Sequence, residues 1–395
     1  VINDLSHRGA VIVILYSEKG GKKEIIEYAL PEDAGDFSFL VTDGAYYLAA
    51  FEDINNNFKY DEKEFFGYFG NPDQIIVSVN ESASPESKAI SDLEIQLLKT
   101  DGANSSFPMV LETIALSENN FRKIGQLTDL DDKIFMQENG STGYWKPLTF
   151  LRNFGHGVYF IEPYDEDKIP IIFVHGASGT PIIWKKFVEQ IDRQQYQPWF
   201  YYYPSGIQLD LIARGLNNVV KRLHDTYRFN ELYITAHSMG GLVSRAFLMK
   251  NVFEDGQDYL KLFVSISTPW NGHRAASSGV ERAPAVIPSW YDMVPDSDFI
   301  QSIYKREFPS DIKFCLLFSF RGNCRMNMGN NDGSVELASV LDSRAQTDAD
   351  TIIGFDENHV SILSSQEVIG HYNEILNSLT RVRGIDSRDY GISEK

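Results

Sequence analysis

Beyond about residue 165 the chain alternates short apolar runs with helical patterns, and no other feature narrows the available folds as much. The runs are Ile169–Val174, Trp199–Tyr203, Leu232–Thr235, Leu262–Ser267, Phe314–Phe320 and Ile352–Phe355. Between them, Trp184, Phe187, Val188 and Ile191 share one helix face, and Leu211, Leu216, Val219, Val220 and Leu223 share another. Apolar strands separated by helices are joined by right-handed crossovers into a mostly parallel sheet with helices on both faces. Residues 9 to about 98 have another texture. There the β-type runs Ala10–Tyr16, Glu24–Tyr28, Asp36–Val41, Tyr46–Phe51, Gln74–Val79 and Leu93–Leu98 are broken by Gly20-Gly21, Pro31, Asp43-Gly44 and Asn71-Pro72. No convincing helix lies among them, which predicts a small antiparallel β-sandwich. The expected organisation is a sandwich over 1–100, a connector over 101–165 packed on the following domain, an α/β domain over 166–383 and a polar tail over 384–395.

Composition removes several classes of function. Apolar content of 43% with 23% charged residues is that of a folded chain rather than a disordered one. A net charge of −19, with no basic cluster, repels nucleic acid and anionic membrane surfaces on average. No apolar run is long enough for a transmembrane helix. Cys315 and Cys324 are too few for a disulfide scaffold; one bridge bracing a loop and two separate thiols are equally open readings.

The segment Ala236-His237-Ser238-Met239-Gly240-Gly241 follows the run Leu232–Thr235 and opens an apolar-periodic segment from Leu242 to Met249. A serine at such a strand-to-helix turn projects from a backbone too tight for bulky neighbours, and the new helix offers its N–H and positive end to a developing oxyanion. This is the nucleophile-elbow pattern with alanine in the first glycine position. Its base and orienting acid are expected downstream, acid first, each after a late strand. His359, just past Ile352–Phe355 and before a helical pattern, fits the base; His273 comes too early and His371 lies within that helix. Asp332, framed by Asn330, Asn331 and Gly333 after Phe314–Phe320, fits the acid. Asp342, Asp348 and Asp350 are the alternatives. A second oxyanion donor is expected where Ile171–Val174 runs into His175-Gly176-Ala177-Ser178-Gly179. The N–H groups of Ala177 and Met239 are the candidate pair, with Ser178 as the alternative to Ala177.

In order along the chain, Val174-His-Gly, Ala236-His-Ser-Met-Gly-Gly, Thr268-Pro-Trp-Asn-Gly, Asn331-Asp-Gly-Ser-Val and Asn358-His-Val make residues 166–383 resemble the α/β-hydrolase superfamily, in its lipase-like branch. The resemblance implies an α/β-hydrolase fold and carboxylic-ester hydrolysis through an acyl-enzyme, with an ester or lipid substrate and no cofactor. An acyltransferase or amidase would use the same triad, and a lipid- or glycan-binding protein could keep the fold without turnover. The apolar insert at about 273–310 is the expected cap or lid. His175, Ser178, Trp270 and Trp290 are candidate pocket residues, with a structural place inside the loop as the competing reading for His175.

The first domain resembles prealbumin-like β-sandwich modules. With the acidic surface, that points to export, whether periplasmic, outer-membrane-attached or secreted. It also carries Asp53, Asn55, Asn57, Lys59, Asp61 and Glu64 at positions 1, 3, 5, 7, 9 and 12 of a loop, the spacing of a structural calcium site. The usual glycine at position 6 is Phe58, and a solvated acidic hairpin loop is the alternative.

Overall fold

The computed structural model describes residues 10–19, 22–29, 37, 39, 41, 44–54, 60–61, 64–70, 72–77, 90, 93–99, 122–283, 286–322 and 329–386. The first domain contains β1 (Ala10–Lys19), β2 (Lys22–Ala29), β3 (Gly44–Asp53), β4 (Phe65–Tyr68), β5 (Ile75–Val77) and β6 (Leu98–Lys99). They form an antiparallel sheet in the order β2-β1-β3-β4-β6, with β5 added to β3. Because successive side chains point to opposite faces, one alternate set, Val11, Val13 and Leu15 with Leu48 and Ala50, packs against Ile75 and Leu97, with Phe37, Phe39 and Val41 alongside. The other set, Ile12, Ile14 and Tyr16 with Ala49, Phe51 and Phe66, joins the core of the second domain. Both faces of this sheet are therefore dry, one of them through the neighbouring domain.

The second domain begins with β7 (Arg122–Leu127), α1 (Gln137–Trp145), α2 (Pro147–Phe154), β8 (His156–Phe160), β9 (Ile169–Val174), α3 (Lys185–Val188), β10 (Tyr196–Tyr202), α4 (Leu209–Tyr227), β11 (Leu232–His237) and α5 (Met239–Phe253). It continues through β12 (Leu260–Ile266), α6 (Arg274–Arg282), α7 (Pro288–Met293), α8 (Asp298–Ser302), β13 (Lys313–Ser319), α9 (Leu337–Val340), α10 (Ser343–Asp348), β14 (Thr351–Phe355) and α11 (Gln366–Asp386). Its eight-stranded sheet has the order β14-β13-β12-β11-β9-β10-β8-β7. Strands β9 to β14 are parallel, and β8 pairs antiparallel to β10.

Both faces are covered, as the apolar runs required. Ile172, Val174, Ile234 and Ala236 face Leu216 and Val220 of α4 and Leu242, Val243 and Phe247 of α5. Ile171, Phe173, Tyr233, Val264 and Leu317 face Phe187 and Val188 of α3 and Val368, Ile369 and Tyr372 of α11. Each large apolar side chain fully buried in these layers stabilises the domain by about 1.5–3 kcal/mol.

The structure corrects the expected connector. Its described part, residues 122–165, supplies β7 and β8 to the main sheet and sets α1 and α2 against it. Strand pairing has no signature in one strand's sequence alone, so aromatic content there could signal packing but not membership of the sheet. Helix α11 also continues to Asp386, past the expected start of the tail.

Candidate functional site

Ser238 stands between β11 and α5, where the parallel strands end. Its φ of 55° and ψ of −132° form the sharp turn that lets a strand enter a helix directly, a backbone state costly for a residue with a side chain. Small neighbours make the turn possible. A Cβ on Gly240 would lie 2.4 Å from His175 O, and one on Gly241 would collide with Thr268 Oγ1. Ala236, buried between β9 and β12, fits where glycine is the usual residue.

His359 follows β14 and sits beside Ser238, with Nε2 2.9 Å from Ser238 Oγ. Its Nδ1 is 2.7 Å from Asp332 Oδ2, and its backbone N–H donates to Asp332 O. Asp332 is fully buried in a tight loop. Its Oδ1 accepts the N–H groups of Ser334 (3.0 Å) and Val335 (2.7 Å), and its Oδ2 also accepts Ser319 Oγ–H at 2.9 Å. Burial opposes ionisation, yet the bond and charge of His359 and those two N–H groups outweigh it and hold the carboxyl below its usual range. An ionised Asp332 takes the proton of Nδ1. That leaves Nε2 of a neutral His359 as an acceptor facing the Ser238 hydroxyl, the arrangement that can withdraw a proton from oxygen.

Two more histidines fasten this side. His237 Nε2–H donates to His359 O at 2.8 Å. Burial first, and then the neighbouring His359, pushes its pKa down to about 3. His273 caps α6 by accepting Ala275 N–H on Nδ1, so its proton is on Nε2 and is donated to Ser334 O at 2.8 Å.

The opposite side is built from backbone. A Cβ on Gly176 would lie 2.8 Å from Ser238 Cβ, so the loop after β9 presses directly on the serine. His175 is inside that loop. Its ring stacks on Tyr203 at 4.1 Å, its Nδ1–H donates to Gly176 O at 2.8 Å, and its carbonyl accepts Tyr203 O–H. Burial lowers its pKa to about 4, so it is a neutral structural group. Ser178, at φ 57°, donates its N–H to Ser205 Oγ, so that N–H is engaged elsewhere, whereas Ala177 is exposed. Met239 is the first residue of α5, and its N–H has no carbonyl to bond within the helix.

Helix α1 braces this loop, which the sequence did not announce. Gln137 Nε2–H donates to Ser178 O at 2.7 Å, Ser141 Oγ lies 3.2 Å from Ser178 Oγ, and a Cβ on Gly140 would sit 2.5 Å from Ser178 O. Glycines inside a helix cost about 1 kcal/mol, which was the available hint of a packing reason. At its far end Gly143 O accepts the N–H of Gly206, a Cβ on Gly206 would collide with Tyr144 O, and Tyr144 Oη accepts Trp290 Nε1–H at 2.6 Å. The insert thus packs on α1 through α7, and Trp290 lies half-buried beside an exposed Trp145.

Trp270 is the candidate pocket residue that the structure removes. It is fully buried with Phe263, Phe314 and Arg245, because the chain after β12 turns inward before the insert begins. Of the acidic loop, Asp53, Asp61 and Glu64 are described, while Asn55, Asn57 and Lys59 lie outside the described residues. The Glu64 carboxylate accepts the N–H groups of Ile54 and Asp61, and burial raises its pKa to about 7. Among the described residues no group of His, Cys, Asp or Glu is arranged to hold a metal. Cys315 is buried in β13, and Cys324 lies outside the described residues. No helix among the described residues is long and apolar enough to cross a membrane.

Residues 207–370, which contain Ser238, Asp332 and His359, match the family described as "Alpha/beta hydrolase of unknown function (DUF915)". With its parallel sheet between two layers of helices, the second domain has the α/β-hydrolase fold. Similar solved structures include a lipase from Bacillus licheniformis in its mature form (18% identity, 54% of this chain and 94% of that one, TM-score 0.45). Two others are the lin2722 gene product of Listeria innocua (18%, 52% and 92%, TM-score 0.39) and a putative aryl esterase from Burkholderia cenocepacia (14%, 55% and 92%, TM-score 0.39). No curated protein matches the sequence.

Proposed function

We propose that the α/β-hydrolase domain cleaves carboxylic esters through an acyl-enzyme, as an esterase or lipase, with Ser238, His359 and Asp332 as its triad. The observation that carries this reading is the hydrogen-bonded row from Ser238 Oγ through His359 to a buried, ionised Asp332. Ser238 Oγ bonds to the ester carbonyl carbon while its proton passes to His359 Nε2. The tetrahedral oxyanion is held by the N–H groups of Ala177 and Met239, each such donor being worth roughly 3 kcal/mol in the transition state. Collapse breaks the carbon–oxygen bond, and the leaving alkoxide takes the proton from His359. Water then enters by the same route, losing a proton to His359, and releases the acid and free Ser238. The insert at 273–310 serves as the lid or acyl wall, with Trp290 on its inner side.

Ser238→Ala tests this with p-nitrophenyl esters of short and long acyl chains and a fluorophosphonate probe. Hydrolysis and labelling are both expected to vanish while circular dichroism is unchanged. A variant still labelled on the protein would sink the assignment.

A further inference from the structure

The hydrogen-bonded row does not end at Asp332. Ser319, the last residue of β13, donates its hydroxyl to Asp332 Oδ2, the same oxygen that receives His359. Ser319 Oγ is also 2.7 Å from Ser267 Oγ. Ser319 N–H donates to Ser267 Oγ at 3.2 Å. All three side chains are fully buried. The directions follow by elimination. An ionised carboxylate only accepts, so the one hydroxyl proton of Ser319 is committed to Oδ2. The contact between the two serines then requires the hydroxyl proton of Ser267, donated to Ser319 Oγ. Ser267 reaches this place just past β12 at a φ of +50°, a left-handed state that serine adopts at a cost. Its N–H is tied to Leu317 O.

We infer that Ser319, directly, and Ser267, through Ser319, are positioning residues that set the orientation and basicity of Asp332 and thereby of His359. With Ser334 and Val335 on Oδ1 and Ser319 and His359 on Oδ2, the four acceptor sites of the carboxylate are filled. Removing the Ser319 donor leaves more charge on Oδ2, and a more basic Asp332 favours the imidazolium of His359. The other titratable groups facing the pair are His237 on the Ser238 turn and His273 on the insert, both held neutral by burial; Glu336 lies beyond, facing His273.

This inference rests on the proposed triad, so its test uses a readout that needs no turnover. In full-length protein labelled with ¹⁵N-histidine, His359 is assigned with His359→Gln and titrated by NMR in the wild type, Ser319→Ala and Ser267→Gly. Glycine removes the second hydroxyl while accommodating the positive φ. Ser319→Ala is expected to raise the His359 midpoint by about half a unit or more, since a lost hydrogen bond of about 1 kcal/mol corresponds to most of a pH unit. The acid limb of kcat/KM should move equally, while the loss of fixed orientation at Asp332 and His359 should lower kcat roughly tenfold with KM within twofold. Ser267→Gly should shift both in the same direction by less, and it carries the test alone if Ser319→Ala does not fold. A folded variant with an unmoved His359 titration overturns the relay while leaving the hydrolase reading intact. A wild type that neither turns over esters nor takes the fluorophosphonate overturns the triad, whatever the titrations show.

Discussion

The two sides of Ser238 are built by different means. On the acid–histidine side, Asp332 and His359 stand on loops tied together by side chains: Ser319 to the carboxylate, His237 to the His359 carbonyl, His273 to the Ser334 carbonyl. On the side of the loop after β9, hardly any side chain acts on the serine. Gly176 lies against it, Gly240 lies against the His175 carbonyl, and Gly140 of α1 lies against Ser178. One side depends on polar groups whose atoms must be present. The other depends on the absence of atoms. Each should therefore fail to a different kind of substitution, and that contrast can be broken.

The largest effect is expected on the polar side. Asp332→Asn keeps the volume but offers His359 Nδ1 an unsuitable partner, and kcat on p-nitrophenyl esters should fall about 10⁴-fold with the thermal midpoint nearly unmoved. An activity loss below tenfold would mean that Asp332 does not orient the base.

Gly176→Ala comes next. Its Cβ would lie 2.8 Å from Ser238 Cβ, and displacing the loop should remove one oxyanion donor, a loss of about 10²–10³ in kcat. Wild-type kinetics in this variant would show that the loop yields freely and that close packing is not what positions it. Gly140→Ala tests the brace at one remove. Its Cβ would meet Ser178 O at 2.5 Å and Gly179 O at 2.8 Å, so overpacking should cost about 1–3 kcal/mol of stability. A fall in kcat of roughly tenfold should accompany it. If stability falls and kcat does not, α1 supports the fold and not the site.

The effect expected to touch turnover least falls on stability and is shared by both sides. His175 and His237 have folded pKa values lowered by burial to about 4 and about 3, below an unfolded value near 6.5. The unfolded chain therefore binds more protons below pH 6.5. Stability from these residues is complete above that value and is lost as pH falls toward 4 and then 3, by up to about 1.4 kcal/mol per pH unit for each. Denaturant midpoints between pH 7 and 4 should fall accordingly, and His237→Gln should remove one of the two contributions. A flat midpoint over that range would contradict both shifts.

Ser238, Asp332 and His359 were legible in the sequence because each sits at the end of an apolar run. Strands of a parallel sheet end on one edge, so position along the chain translates into position in space. The same logic misplaced Trp270, because a loop residue after a strand can turn into the core as readily as toward the cleft. It also missed α1. The contact from Gln137 to Ser178 spans 41 residues with no periodicity to mark it, and residues 122–165 read as a connector although they complete the sheet.

Local pattern and order along the chain determined the α/β architecture, the turn that presents Ser238 and the strand ends that carry Asp332 and His359. Hydrogen-bond partners and close approaches were decided by tertiary structure. Which carbonyl His237 meets, which hydroxyl fills Asp332 Oδ2 and which helix leans on Ser178 depend on segments far apart in sequence, brought together only when the two faces of the sheet bury their apolar side chains.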